Sequence, residues 1–274
     1  MPELPEVETI VRELRPKVVG KKFWGVEGKL DYVFLPSAKE VALKIKGLKI
    51  LEVTRRGKFI VFVLDKKMRL VIHLRMSGRL MWKKVPQKEQ HIRAVFTFTD
   101  SSSLIFSDAR KFGRIWLFLE ENFEKQTGIS RLGVEPFSSI FNAKYLHKLF
   151  DRKKGILKNN LLRQDLIAGI GNIYADEICF RINLHPRSRI ENLQPQDLAR
   201  MHEAILHCLQ EGIDHSGASV SDFVGTRGTL GKHQKYLQVY GRKDDPCYSC
   251  GSKIQKTKVA GRGTFVCMKC QVLR

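Results

Sequence analysis

The sequence has 274 residues, a length that accommodates two or three domains, each with its own core. Its 49 lysines and arginines outnumber the 28 aspartates and glutamates, and the net charge of +21 favours a polyanionic partner such as a nucleic acid. No apolar run approaches the ~20 residues of a membrane span, and the start MPELPEVETI lacks the segments of a signal peptide. We expect a cytoplasmic protein without a membrane partner, although charge alone also fits a generally basic protein or one that touches anionic membranes.

The first predicted element is an amphipathic helix over residues 3–18, because apolar residues recur at helical spacing from Leu4 to Leu14. Pro5 lies in its first turn, where the missing N–H is harmless, and Gly20 follows its end. Between Lys21 and Leu119, β-rich runs separated by turn signals predict a β-sandwich. The clearest runs are residues 58–64, 69–74, 94–99 and 104–107.

The second half of the chain has a helical pattern. Residues 120–140 are polar and interrupted by glycine and proline, which favours an interdomain linker within them. Helical periodicity then recurs over residues 144–150, 156–162, 173–180 and 198–212. These patterns predict an α+β protein of three domains, at residues 1–130, 131–235 and 236–274.

The C-terminal segment contains the motif Cys247-x2-Cys250-x16-Cys267-x2-Cys270. Two such pairs present four thiolates to one tetrahedral Zn²⁺, and the alternative of two disulfides does not suit a reducing compartment. With no position left open for water, the zinc is expected to be structural. The tail from Gly241 has eight basic and two acidic residues, and Arg262 lies between two glycines, where it is either a phosphate ligand or an ordinary turn arginine.

A glycine-rich segment, LIAGIGNIYADE, spans residues 166–177. Gly169 and Gly171 permit a sharp turn, and Asn172 is a suitable N-cap for a helix that begins near Ile173. The first N–H groups of such a helix favour an anion, so the segment is either a phosphate-binding turn or a plain helical hairpin. Cys179 and Cys208 lie in helical stretches outside the zinc motif and are interpreted as buried, inert thiols.

The start of the chain carries a possible nucleophile. Removal of Met1 would leave Pro2 with a secondary amine. An α-amino group usually has a pKa of ~7.7–8.0, and the positive end of a helix lowers it. Attack on a sugar C1′ would produce an iminium, with Glu3 as general acid and Glu6 orienting the amine one turn further on. The alternative is an ordinary Pro-Glu helix start.

Seven motifs together resemble the formamidopyrimidine-DNA glycosylase family, in that family's order and across nearly the whole chain. They are PELPEVET at 2–9, RRGK at 55–58, HLRMSG at 73–78, ARKFG at 109–113, GNIYADE at 171–177, VYGR at 239–242 and VAGRGTFVC at 259–267. The resemblance implies an N-terminal helix with a β-sandwich, a helix–two-turn–helix domain and a C-terminal zinc finger.

The resemblance also implies residue roles. Pro2 would be the Schiff-base nucleophile and Glu3 its acid–base partner, with Lys58 and Arg262 as catalytic cations near the sugar-phosphate and the flanking phosphates. The expected DNA-binding residues are Glu6, His73, Arg75, Met76, Arg110, Phe112, Asn172 and Tyr174. Among them, Met76, Arg110 and Phe112 would fill the space left by an extruded base. A buried, hydrogen-bonded histidine at position 73, core contacts for Met76 and Phe112, and a solvated strand-end Lys58 are the alternatives.

The implied function is base excision repair by a monomer acting on damaged double-stranded DNA. The enzyme would remove 8-oxoguanine and formamidopyrimidines, then cut the strand by β,δ-elimination. Residues 219–236 would close over the flipped base, although Asp222, Thr226 and Arg227 form no motif that assigns contacts with the base. The alternatives are the endonuclease VIII-like branch, which prefers oxidised pyrimidines but has a PEGPE-type start, and a damage-binding protein without catalysis.

Overall fold

The computed structural model describes residues 1–84, 89–220 and 223–274. These residues form two compact units. Residues 1–131 and 215–232 make up the first unit, and residues 132–214 and 233–274 make up the second. The segment 215–232, predicted to belong with the helical domain, therefore packs within the first unit. None of the helices in these ranges combines the length and hydropathy needed to cross a bilayer.

The first unit begins with helix α1 (Leu4–Val18), as predicted from the apolar spacing. Its apolar side, including Leu4, Val7 and Leu14, is wholly buried. Arg15 and Lys17 occupy the last turn, where positive charge interacts favourably with the helix dipole. This apolar face packs into the core of the first unit, and the packing determines where the first residues of the chain lie.

A β-sandwich follows α1, which confirms the prediction. One sheet has the strand order β1-β7-β8-β6 and the other has β2-β9-β5-β4-β3, and apolar residues of both sheets and of α1 share one core. The strands are β1 (Phe23–Gly28), β2 (Phe34–Leu35), β3 (Ile50–Arg56), β4 (Phe59–Leu64), β5 (Met68–His73), β6 (Gly78–Lys83), β7 (Ile92–Phe98), β8 (Ser103–Asp108) and β9 (Arg114–Leu119). Helix α2 (Ala38–Ile45) contacts β1, β2 and β9.

The segment 120–140, within which an interdomain linker was predicted, begins with a helix, α3 (Glu120–Thr127), and the division between the two units falls after that helix, between Arg131 and Leu132. Glu120 and Glu121 lie in the first turn, where negative charge is favourable, and Gly128 ends the helix in a left-handed conformation at φ 81°. The glycine that suggested a break is thus a helix terminator, and the polar composition reflects a mostly exposed helix.

The second unit contains the four predicted helices and a β-hairpin. The helices are α4 (Ala143–Phe150), α5 (Leu157–Leu161), α6 (Asn172–Arg181) and α7 (Pro195–Asp214), and the hairpin consists of β10 (Gln255–Val259) and β11 (Arg262–Val266). The helical predictions are confirmed to within a few residues. Helix α6 packs against α5, α7 and β11 and is the centre of this unit.

A buried ion pair joins these helices to the hairpin. Lys158 on α5 lies 2.6 Å from Asp176 on α6, and both side chains are fully buried. Lys158 also donates to the hydroxyl of Thr264 at 2.8 Å, and Asp176 accepts the backbone N–H of Phe265 at 2.9 Å. Burial raises the pKa of Asp176, and the Lys158 ammonium counteracts that effect. The pair thus anchors β11 to the helical part of the unit.

Candidate functional site

The start of α1 is buried and tightly held. Pro2 is buried, Glu3 is 2% exposed and Glu6 is 1% exposed, whereas Met1 is 42% exposed. The carboxylate of Glu6 accepts the backbone N–H of Glu3 at 2.8 Å and that of Ala218 at 2.8 Å. Glu6 therefore fixes the backbone next to Pro2, which suits the orienting role that the sequence suggested.

Lys58 lies in the tight turn between β3 and β4 and is only 6% exposed. Arg55 of the same hairpin donates to Gly57 O at 3.0 Å and forms an ion pair with Glu8 of α1 at 3.2 Å. Burial alone would raise the pKa of Glu8, but Arg12 and Arg55 together hold it below its usual value. The hairpin with Lys58 is thereby tied to α1, the helix that follows Pro2.

His73 is buried and hydrogen-bonded. Its Nδ1 accepts the backbone N–H of Arg75 at 3.0 Å, and its ring packs edge-on against Phe59 with the centroids 4.5 Å apart. Burial, with the cations of Arg75 and Lys58 nearby, lowers the pKa of His73 to about 3. The ring is thus neutral at physiological pH and carries its proton on Nε2, so any phosphate contact would use a neutral donor.

Two loops present the residues that were expected to fill the space of an extruded base. Met76 is 39% exposed in the loop between β5 and β6, and Phe112 is 49% exposed in the loop between β8 and β9. The Arg110 guanidinium lies over the ring of Phe112, 5.0 Å from its centroid. Arg75 is exposed as well. Both apolar side chains therefore face solvent, unlike the alternative in which they belong to the core.

The segment predicted to close over the base is hydrogen-bonded to α1 at Ala218 and at Thr226. Ala218 donates to Glu6, and Thr226 donates both its N–H and its hydroxyl to the Glu13 carboxylate at 2.6 and 2.7 Å. Lys17 of α1 also donates to the Thr226 hydroxyl, at 2.8 Å. Thr226 is fully buried, whereas Arg227 is exposed. Asp222 lies outside the described residues. Of the three residues singled out in this segment, Thr226 thus holds the backbone in place.

In the second unit, Gly171 caps helix α6 and Asn172 is its first residue, one position from the predicted cap. The Asn172 amide instead donates to Gly263 O at 3.0 Å, because the hairpin lies within its reach. Tyr174 is fully buried and stacks on His233, with the centroids 5.7 Å apart. A phosphate at this helix end would meet backbone N–H groups and the Asn172 amide, with the Tyr174 ring supporting the helix from inside.

Arg262 is exposed at the first position of β11. The hairpin turn consists of Ala260 at φ 48° and Gly261 at φ 77°, both left-handed, which is the geometry that matches the twist of adjacent strands. Lys158 and Asn172 both donate to the carbonyl of Gly263, at 3.2 and 3.0 Å. The residue that follows Arg262 is thus fixed to the same helix end that the sequence predicted as a phosphate-binding turn.

The four cysteines of the tail come together as predicted. Their sulfurs lie within 4.8 Å of one another, and two of the distances are 3.9 Å for Cys247–Cys270 and 3.5 Å for Cys250–Cys267. A tetrahedral Zn²⁺ with bonds of about 2.3 Å places its sulfurs roughly 3.8 Å apart, whereas a disulfide requires about 2.05 Å. The cysteines therefore fit one zinc ion and form no disulfide. Four thiolates complete the tetrahedral coordination of the metal and leave no coordination position for a catalytic water, so the site is structural.

Cys179 and Cys208 are buried outside this cluster, and burial raises the pKa of both thiols. They are therefore poor nucleophiles, as expected. Several structurally important residues were not identified from the sequence, namely Glu13, Asp108, Lys158, Asp176 and Glu177. Each is a buried or, for Glu13, half-buried polar residue whose partners lie far away in the chain or in a turn, and no local pattern indicates such partners.

Models of three domain families match the chain. The Formamidopyrimidine-DNA glycosylase N-terminal domain matches residues 1–115, the Formamidopyrimidine-DNA glycosylase H2TH domain matches residues 132–224, and the zinc finger found in FPG and IleRS matches residues 244–272. Together they cover most of the chain and occur in the order of the regions described above.

Curated relatives and solved structures agree with these matches. The chain is 42% identical over 278 residues to the formamidopyrimidine-DNA glycosylase of Pelotomaculum thermopropionicum, with 100% of each chain covered. It is 38% identical to that of Bacillus subtilis, with 99% of each covered. A Lactococcus lactis FPG mutant in complex with Fapy-dG containing DNA has a TM-score of 0.91 at 36% identity, and the Lactococcus lactis Fpg with DNA containing an abasic site has 0.91 at 35%. Both comparisons cover 98% of this chain and 99% of the other.

Proposed function

This chain belongs to the formamidopyrimidine-DNA glycosylase family, and we propose that it is a bifunctional glycosylase and lyase of base excision repair. Its substrate is double-stranded DNA that contains an oxidised purine, either 8-oxoguanine or a formamidopyrimidine. It works as a monomer in the cytoplasm, and it cleaves the strand after excising the base.

The arrangement at the start of α1 carries this proposal. Removal of the exposed Met1 leaves the Pro2 nitrogen as a secondary amine at the positive end of a helix. Glu3 is buried beside it, and Glu6 fixes the intervening backbone. A nucleophile adjacent to a buried carboxyl group is the pairing that covalent catalysis with acid assistance requires.

In the proposed reaction, the Pro2 nitrogen bonds to C1′ of the damaged nucleotide while the bond from C1′ to the base breaks and the base leaves with a proton. Glu3 protonates the ring oxygen, the nitrogen loses its own proton, and the sugar opens to an iminium. This cation draws electrons from the adjacent C–H bond, so loss of a C2′ proton expels the 3′ phosphate. Loss of a C4′ proton then expels the 5′ phosphate and completes β,δ-elimination.

The remaining residues bind DNA. Phe112, Met76 and Arg110 occupy the space of the extruded base, since two of them are exposed apolar side chains and the third carries a planar set of donors. The DNA phosphates are bound by Lys58, Asn172 and Arg262. The net charge of +21 favours binding to such a polyanion. Zinc holds the segment that bears Arg262 and takes no part in the chemistry.

Borohydride trapping tests the proposal. The protein is incubated with duplex DNA bearing one 8-oxoguanine opposite cytosine, and in parallel with a duplex bearing an oxidised pyrimidine. We expect a covalent adduct on the first duplex, located at Pro2 by peptide mass analysis, and no adduct with Pro2→Gly although that variant still binds the duplex. An adduct mainly on the second duplex would assign the protein to the endonuclease VIII-like branch.

Intact-mass measurement of the same sample is the companion control, because the amine exists only after Met1 is removed. Tight binding with no adduct on either duplex, from protein that lacks Met1, would favour a damage-binding protein and contradict the proposed chemistry. Equal losses of binding, trapping and cleavage in Pro2→Gly would exclude Pro2 as the nucleophile.

A further inference from the structure

We propose that Asp108 is a positioning residue for base extrusion, because its carboxylate holds in one arrangement the two loops that carry Met76, Arg110 and Phe112. The inference rests on the proposed function, in which these three side chains fill the space of the extruded base. We call residues 74–77 the first loop and residues 109–113 the second loop.

Strand pairing places the two loops side by side. The first loop runs from β5 in the five-stranded sheet to β6 in the four-stranded sheet, and the second loop runs back from β8 to β9. At one end of the loops His73 pairs with Arg114, and at the other end Gly78 pairs with Asp108. Both loops therefore pass between the two sheets at the same end of the sandwich, and Asp108 ends the strand from which the second loop departs.

The Asp108 side chain, which is 1% exposed, bonds to both loops. Its Oδ1 accepts the hydroxyl of Ser77 at 2.5 Å and the backbone N–H of Arg110 at 3.1 Å, and its Oδ2 accepts the N–H of Gly113 at 2.8 Å. Ser77 directly follows Met76, while Arg110 and Gly113 enclose the segment that contains Phe112. One buried carboxylate thus determines where all three side chains leave the protein surface.

The backbone of Asp108 is itself held by strand β7 and by the residue that precedes this strand. Its backbone N–H donates to His91 O at 3.0 Å, and its carbonyl accepts Arg93 Nε at 2.8 Å. The backbone that carries the carboxylate is therefore fixed within a sheet. Through its hydrogen bonds, the carboxylate can hold the two loops in a fixed position relative to that sheet.

The loops also adopt backbone conformations that need external support. Arg75, next to Met76, has φ 55°, and Lys111, next to Phe112, has φ 62°, a region that side-chain-bearing residues rarely occupy. Gly113 permits no Cβ, which would lie 2.3 Å from Cζ of Phe106. Without the carboxylate, Arg75 and Lys111 would relax to commoner conformations, and Met76 and Phe112 would lose their common direction.

The test compares wild type, Asp108→Asn, Phe112→Ala and the double variant on two substrates. Asparagine keeps the size of the side chain but replaces one acceptor oxygen with a donor. Asp100→Asn is the matched control, because Asp100 lies in the β7–β8 turn at the opposite end of the same sheet and its carboxylate likewise accepts a backbone N–H, that of Ser102.

Excision of 8-oxoguanine from duplex DNA should fall at least ten-fold in Asp108→Asn. Strand cleavage at an abasic site in single-stranded DNA, which needs no extrusion, should stay within two-fold of wild type. The double variant should lose little more than Phe112→Ala alone, and fluorescence of 2-aminopurine placed beside the lesion should report less unstacking. Asp100→Asn should match wild type throughout.

Equal losses on both substrates, or losses that multiply in the double variant, would overturn the inference, as would duplex excision within two-fold of wild type. If Asp108→Asn fails to fold, Ser77→Ala removes one of the three bonds and should show a smaller loss confined to the duplex. Absence of any excision by wild type would instead refute the proposed function, so the two failures are distinguishable.

Discussion

The carboxylate of Glu6 accepts the backbone N–H of Ala218 at 2.8 Å, joining the first turn of α1 to a segment more than two hundred residues further along the chain. Gly217, at φ 77°, is part of the same contact, since a Cβ there would lie 2.9 Å from Glu6 Cγ. The Glu6 carboxylate thus binds both the backbone next to the proposed nucleophile and the segment expected to cover the base.

Glu6→Gln should weaken this junction, because an amide has one acceptor oxygen for two backbone donors. We expect the free energy of unfolding to fall by about 1–2 kcal/mol and the rate of borohydride trapping to fall at least ten-fold. Glu13→Gln is the control, since it loosens Thr226 in the same segment away from Pro2, and its trapping rate should stay within three-fold of wild type. Equal trapping losses in the two variants would argue against a specific role for Glu6.

Lys158→Met should destabilise the protein strongly, because it leaves the fully buried Asp176 carboxylate without its cation. The expected loss is about 3–5 kcal/mol in urea unfolding, with partial recovery in the Lys158→Met/Asp176→Asn double variant. Arg163→Met is matched to it, because Arg163 and Asp165 are also 2.6 Å apart but exposed, and this change should cost less than about 1 kcal/mol. Similar losses in both single variants would contradict this account.

His73 should make the protein less stable in mild acid. Burial, with the cations of Arg75 and Lys58 nearby, lowers the pKa of His73 from its usual 6.5 to about 3, so below pH 6.5 the unfolded state binds a proton that the folded state does not. Stability is therefore lost as the pH falls from 6.5 toward 3. Between pH 7 and pH 5 this residue should contribute a loss of about 2 kcal/mol.

His73→Asn, which retains an acceptor for the Arg75 N–H, should remove that part of the pH dependence. The measurement is urea unfolding at several pH values, compared as the change with pH rather than as absolute stability. His207→Asn, at an exposed position of α7, is measured in parallel as the substitution control. An unaltered pH dependence in His73→Asn would show that the histidine is not buried in its neutral form.

Removal of zinc should unfold the C-terminal segment. Metal analysis should find one zinc per chain, and chelation should increase amide deuterium uptake over residues 244–272 and abolish DNA binding, because metal binding supplies the folding energy of such a small core. Cys270→Ala should behave like chelated protein, whereas Cys208→Ala, at a buried thiol outside the cluster, should retain the metal. Undiminished DNA binding by metal-free protein would refute the structural role.

Local patterns were sufficient to predict much of this protein. Apolar residues at helical spacing located α1 and the four helices of the second unit, and β-rich runs located strands β4, β5, β7 and β8. The cysteine spacing alone indicated the metal site. Each of these features is recorded within a few consecutive residues, because helix periodicity, strand alternation and the geometry of a Cys-x2-Cys turn are local properties.

The tertiary structure decided which residues from distant parts of the chain share an environment. Asp108 reaches two loops because of the strand register, Thr226 is held by Glu13 from a distant part of the chain, and His73 is neutral because it is buried with the cations of Arg75 and Lys58 nearby. Burial and hydrogen-bond partners depend on how strands and helices pack, and the same residue types occur at solvated positions in other segments. The sequence by itself therefore determined the elements and the metal ligands, whereas packing determined how the polar residues are held and charged.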